Sequence, residues 1–97
     1  MRRRTLVVLR GSIDRATLRA RYAAVLVEGG DVAVCCVLPA GHDGLDDALR
    51  AQREVTSALR ACIPQRAEDV AVLVVSEADE LGVEECARAW GATEVVR

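Results

Sequence analysis

The sequence contains no lysine. All 13 basic residues are arginine, set against 15 acidic residues for a formal net charge of −2, which marks a compositional bias more than a chosen chemistry. A nucleic-acid binder concentrates positive charge on one face. Only Arg15, Arg19 and Arg21, with the N-terminal Arg2-Arg3-Arg4, offer a start, and a solvated surface accounts for them. No nucleic-acid partner is expected. Although 52% of the residues are hydrophobic, no uninterrupted apolar stretch approaches bilayer length. Nor does an apolar segment of signal-peptide type follow Met1-Arg2-Arg3-Arg4, so a soluble, cytoplasmic protein without membrane association is expected.

Metal and redox signatures are missing too. The four cysteines show no CxxC spacing. Cys35 and Cys36 are adjacent in an extended run and should point to opposite faces, while Cys62 and Cys86 fall on helical segments. In a reducing compartment they read as small buried hydrophobes with no metal or redox role. The single histidine, His42, lies in a Gly-rich loop without an identifiable partner, so no general base and no catalytic residue is assigned. Repeats, linkers and low-complexity stretches are absent, and residues 1–97 read as one domain. A chain of 97 residues is near the lower limit for burying both faces of an open sheet, and oligomerisation is the expected compensation.

What the sequence does have is a short β-branched run that appears four times. The runs are Thr5-Leu6-Val7-Val8-Leu9, the stretch 31–38, the stretch 69–75, and Thr93-Glu94-Val95-Val96, and three segments of helical spacing separate them. Near-continuous apolar strands alternating with helices indicate a parallel sheet covered on both faces. The first helical segment carries Leu18, Tyr22, Val25 and Leu26 on one stripe, with Ser12 or Asp14 as its cap and Gly29-Gly30 as its exit. The second runs from Leu45 through Leu49, Val55, Leu59, Cys62 and Ile63 until Pro64 stops it. The third, with Ser76 or Asp79 as cap, sets Val83, Cys86, Ala87 and Trp90 inward and ends at Gly91. Its acidic residues Glu77, Glu80, Glu84 and Glu85 complement the positive helix end.

Right-handed crossovers restrict the strand order, and if the first two wind in one direction while the fourth strand returns to the other side of the first, the order is 3-2-1-4 in a three-layer α/β/α, Rossmann-like sheet. The reversal between the first and fourth strands is where such sheets bind ligands, outside the carboxyl ends of the strands. Arg10, Gly11 and Ser12 after the first strand, with Val37 in the second, form the candidate ligand site. Arg10 beside a helix N-terminus can hold a phosphate or carboxylate. The favoured reading, since a capping serine is common, is that Arg10 pairs with the terminal carboxylate or an acidic neighbour while Ser12 caps the helix.

Several segments together resemble the universal stress proteins of the adenine nucleotide α-hydrolase-like group. They are Leu6-Val7-Val8-Leu9-Arg10-Gly11-Ser12, Arg21-Tyr22-Ala23-Ala24, Val37-Leu38-Pro39 and the stretch from Cys86 to Val96. These look like the family's opening strand with its glycine-serine turn, its tyrosine-alanine helix, its second strand, and its helix closing in glycine-alanine before the fourth strand. Two departures qualify what the resemblance implies. Nucleotide-binding members carry an acidic residue where Arg10 stands, and a GxxGxxxxxxxxxG phosphate loop followed by Ser or Thr after the fourth strand, beyond which only Arg97 is present here. Loss of the loop's backbone N–H groups should leave adenine nucleotides unbound and no cofactor retained.

The resulting expectation is a non-catalytic, universal-stress-like regulatory or interaction domain that works by self-association or by binding a protein partner. A fourth strand without the family's fifth beside it becomes an edge. Thr93, Glu94, Val95, Val96 and the nearby Trp90 are the expected homodimer contacts. The alternative is a small-anion or adenine-nucleotide module at the switch point, completed by a partner subunit that supplies the phosphate loop.

Overall fold

The structure, a computed structural model, describes residues 3–10, 16, 18–20, 25 and 30–97. Strand β1 spans Arg4–Arg10 and β2 spans Asp31–Leu38; helix α1, Leu45–Cys62, leads through a 3₁₀ turn at Ala67–Asp69 to β3, Ala71–Ser76. Helix α2, Gly82–Trp90, and β4, Glu94–Val96, follow. Residues 16, 18–20 and 25 are helical, whereas Ser12, Asp14, Tyr22, Leu26 and Gly29 lie outside the described residues.

The four strands form one parallel sheet in the order β3-β2-β1-β4, the order expected if the first two right-handed crossovers wind one way and β4 returns to the other side of β1. Two successive crossovers in one direction stack their helices on one face, and the return to β4 carries α2 across the other. Side-chain alternation separates two cores accordingly. Val7, Val34, Cys36 and Leu18 pack with Val55, Ala58 and Leu59 of α1. Leu6, Val8, Ala33 and Cys35 pack with Val83, Cys86, Ala87 and Trp90 of α2. Cys35 and Cys36 thus do face opposite ways.

Local details depart from the sequence reading in three places. The third strand begins at Ala71, because the Asp69 N–H donates to the Arg66 carbonyl at 3.0 Å and closes the 3₁₀ turn instead. Leu45 and Leu49 are not core positions: they are 76% and 47% exposed. The small residues Ala51 and Ala58 fill the buried stripe of α1 in their place, letting the helix sit close to the sheet. Ser76 and Asp79 do not cap α2, whose N-cap is Leu81. They shape the preceding turn, Ser76 Oγ accepting the Ala78 N–H at 3.1 Å and Asp79 Oδ1 the Leu81 N–H at 3.2 Å.

Both helix exits follow local rules. Ile63 precedes Pro64, which disfavours helical backbone at that residue, and its N–H closes on the Leu59 carbonyl at 2.8 Å. Gly91 is left-handed at φ 83°, and the Ala92 N–H reaches back to the Ala87 carbonyl at 2.9 Å in a Schellman closure.

Candidate functional site

The carboxyl ends of the strands bring Arg10, Val37 and Arg97 to one place on the α2 side of the sheet. Arg10 continues the row of Leu6 and Val8, Val37 continues that of Ala33 and Cys35, and Arg97 stands two residues beyond Val95. The crevice between them holds only about 90 Å³. Its described walls carry four carboxylates, Glu77, Asp79, Glu80 and Glu84, against the two guanidiniums of Arg10 and Arg97. The return crossover produces this composition, because it lays the acidic turn and first turn of α2 over the ends of β1 and β2.

Arg97 is committed inside the crevice. Its Nη2 donates to Glu84 Oε1 at 3.1 Å. The Glu84 carboxyl is held below its ordinary value first by its own backbone N–H at the start of α2, then by Arg97, with a smaller contribution from the charge of Arg10. The structure therefore surrounds Arg10 with acidic neighbours. Gly11 and Ser12, the other residues of the expected ligand site, lie outside the described residues.

On the opposite face, a cavity of about 210 Å³ between the end of β2 and α1 is bordered by His42, Asp47, Arg50 and Glu54. His42 is exposed, and among the described residues nothing hydrogen-bonds to its ring. Asp47 is used locally: its carboxylate accepts the Gly44 N–H at 3.3 Å at the start of α1. No group of three or more His, Cys, Asp or Glu residues among those described can hold a metal ion, and no described helix is long and apolar enough to cross a membrane.

The residues expected at a dimer contact gather where β4 meets the start of β1. Thr93 binds Arg4 three times through backbone and side chain, its N–H donating to the Arg4 carbonyl at 2.8 Å and its Oγ1 accepting the Arg4 N–H at 3.0 Å and donating to the Arg4 carbonyl at 3.1 Å. Glu94 pairs with Arg3 at 2.8 Å, Val95 and Val96 are half-buried, and Trp90 is half-buried beneath the Arg4 guanidinium.

Sequence reasoning did not find a third concavity. A groove of about 850 Å³ runs along the outer side of β3, bounded by Leu49, Gln52, Arg53, Thr56 and Arg60 of α1 and by Val72. Gln52 Nε2 donates across it to the Val72 carbonyl at 3.3 Å. The available signal was Arg53 and Arg60, seven residues apart and so on one side of α1.

No family model, curated protein or solved structure matches this chain. Its functional reading therefore rests on the geometry of the crevice and of the sheet edges.

Proposed function

We propose that this chain is a universal-stress-like interaction domain that binds no adenine nucleotide, carries no catalytic centre and acts by association. The observation that carries this reading is the crevice at the switch point. Small-molecule sites commonly enclose about 300–1,000 Å³, and this one offers about 90 Å³. Among its described walls carboxylates outnumber guanidiniums, so a polyphosphate entering it meets like charge, and Arg97 already spends its charge on Glu84. Calorimetric titration with ATP, AMP and inorganic phosphate should give no binding heat. A dissociation constant in the micromolar range for any of them would refute the reading.

Self-association at β4 belongs to the same proposal. Among the described residues β4 is an outer strand of three residues, and its exposed charge is Glu94. Because the Thr93 N–H turns toward β1, strand alternation turns Val95 inward as well and leaves Glu94 and Val96 with their backbone groups outward. Antiparallel pairing of β4 with a second copy would use that outer row. Sedimentation at tens of micromolar should show a homodimer that Val96→Pro dissociates, since proline removes an outward donor. A wild-type monomer would remove this contact from the proposal.

A further inference from the structure

We propose that the outer edge of β3 accepts an extended segment of a partner protein as an added strand, and that this segment carries carboxylates on its face toward α1. The proposal rests on the interaction-domain reading and names the surface and the chemistry of the partner.

β3 is the other outer strand of the described sheet and, with six residues, twice the length of β4. The Glu77 N–H donates inward to the Leu38 carbonyl at 2.8 Å, so alternation places the backbone groups of Val72 and Val74 and the Ser76 N–H outward, while the Ser76 carbonyl already accepts the Asp79 N–H at 3.1 Å. The Gln52 bond to the Val72 carbonyl shows the same orientation. Among the described residues, Gln52 is the only side chain that hydrogen-bonds to this outer row, and its 3.3 Å contact is long enough to yield to a strand. Strand addition draws affinity from such a row of main-chain groups and specificity from the side chains beside it.

Charge selects the partner. The described residues that bound the groove include Arg53 and Arg60, both exposed, and no carboxylate. Seven positions apart on α1, they are separated by about 10.5 Å of helix rise. Same-face residues of a strand recur every ~6.6 Å, so two flexible guanidiniums at this spacing reach carboxylates placed two or four residues apart. Leu49, at 47% exposure, offers an apolar contact at the far end of the groove. A second copy fits less well. Two-fold pairing of β3 with its mate would lay the two α1 helices side by side and bring Arg53 and Arg60 against the same residues of the mate.

The test uses a fluorescein-labelled ten-residue peptide alternating valine with glutamate, read by anisotropy against the full chain. Three controls accompany it: a lysine-for-glutamate peptide, the acidic peptide N-methylated at alternate residues, and the double variant Arg53→Glu/Arg60→Glu. Saturable binding is expected for the acidic peptide alone, with amide shifts at Val72, Val74 and Ser76, and a loss of at least about tenfold in the double variant as two charge-assisted contacts disappear. Absence of binding at millimolar peptide overturns the proposal. So does equal binding of the lysine or the N-methylated peptide, or a homodimer that Arg53→Glu/Arg60→Glu strengthens and the peptide does not disturb. ATP binding alongside peptide binding would refute the functional reading and leave this edge assignment standing. A β4 homodimer that ignores the peptide would do the reverse.

Discussion

The guanidinium of Arg4 lies 4.2 Å from the centroid of the Trp90 ring and donates from Nη2 to the carbonyl of that same residue at 2.7 Å. Its Nη1 donates to Asp31 Oδ2 at 3.0 Å, so one planar fork ties the first residue of β1 to the first of β2 and the last of α2. The carbonyl end of α2 carries partial negative charge, which favours a cation there. Arg4→Ala should destabilise the fold by about 1–2 kcal/mol, a figure already reduced for the one-third exposure of the pair. Arg4→Lys should recover less than half, because an ammonium cannot hold both acceptors in that geometry. Urea denaturation of the three proteins checks this, and a loss below about 0.5 kcal/mol in Arg4→Ala would show the fork to be ornamental.

Gly30 sets the register of β2 from outside the strand. Its φ is +74°, and a Cβ there would stand 2.6 Å from the Arg3 carbonyl oxygen, which accepts the Asp31 N–H at 2.9 Å. That combination of left-handed backbone and close approach admits glycine alone. Gly30→Ala should cost about 1–3 kcal/mol, and thermal melts should detect it. An unchanged melting temperature would mean that the backbone at Gly30 relaxes freely.

Burial raises the Cys35 thiol to about 12, with further increments from Cys86 and Cys36, and burial alone raises Cys36 to about 12. At pH 8 roughly one such thiol in ten thousand is ionised, so native alkylation should reach the half-exposed Cys62 and Cys86 and spare the buried pair until the chain unfolds. Mass spectrometry after a timed iodoacetamide pulse reads this directly. Since the folded pKa exceeds the ordinary value of 9.0, the native state holds these protons more tightly than the unfolded chain. Stability should be fully present below pH 9 and decline as pH rises from 9 toward 12. Early modification of Cys36 would contradict its placement beneath α1.

Glu84 should titrate below the ordinary glutamate value in an NMR pH series. Its depressed pKa means that the pairing with Arg97 contributes above the ordinary carboxylate range and is lost as pH falls through the Glu84 pKa. Arg97→Ala should raise that midpoint only partly, because the leading cause is the backbone N–H at the start of α2. A full return to the ordinary value would show that Arg97 alone sets it.

Periodicity by itself determined the four strands, the opposite facing of Cys35 and Cys36, and the inward stripe of Val83, Cys86, Ala87 and Trp90, while the crossover hand narrowed the strand order without fixing it. The first three are local repeats of 2 or 3.6 and need no distant partner to be read. Tertiary structure decided the rest. The acidic turn at Glu77, Asp79 and Glu80 reads in sequence as a helix start, and becomes the wall of a crevice around Arg10 only because the return crossover lays α2 over the ends of β1 and β2. Leu49 has the spacing of a core residue, yet it overhangs an outer strand where no further element lies beneath it among those described. Thr93 looks like the first residue of a strand and instead clasps Arg4, shortening β4 to three residues and leaving β3 the longer open edge. Charge convergence and edge exposure depend on which residues the sheet order places side by side. That adjacency comes from chain segments dozens of residues apart, beyond the reach of any local pattern.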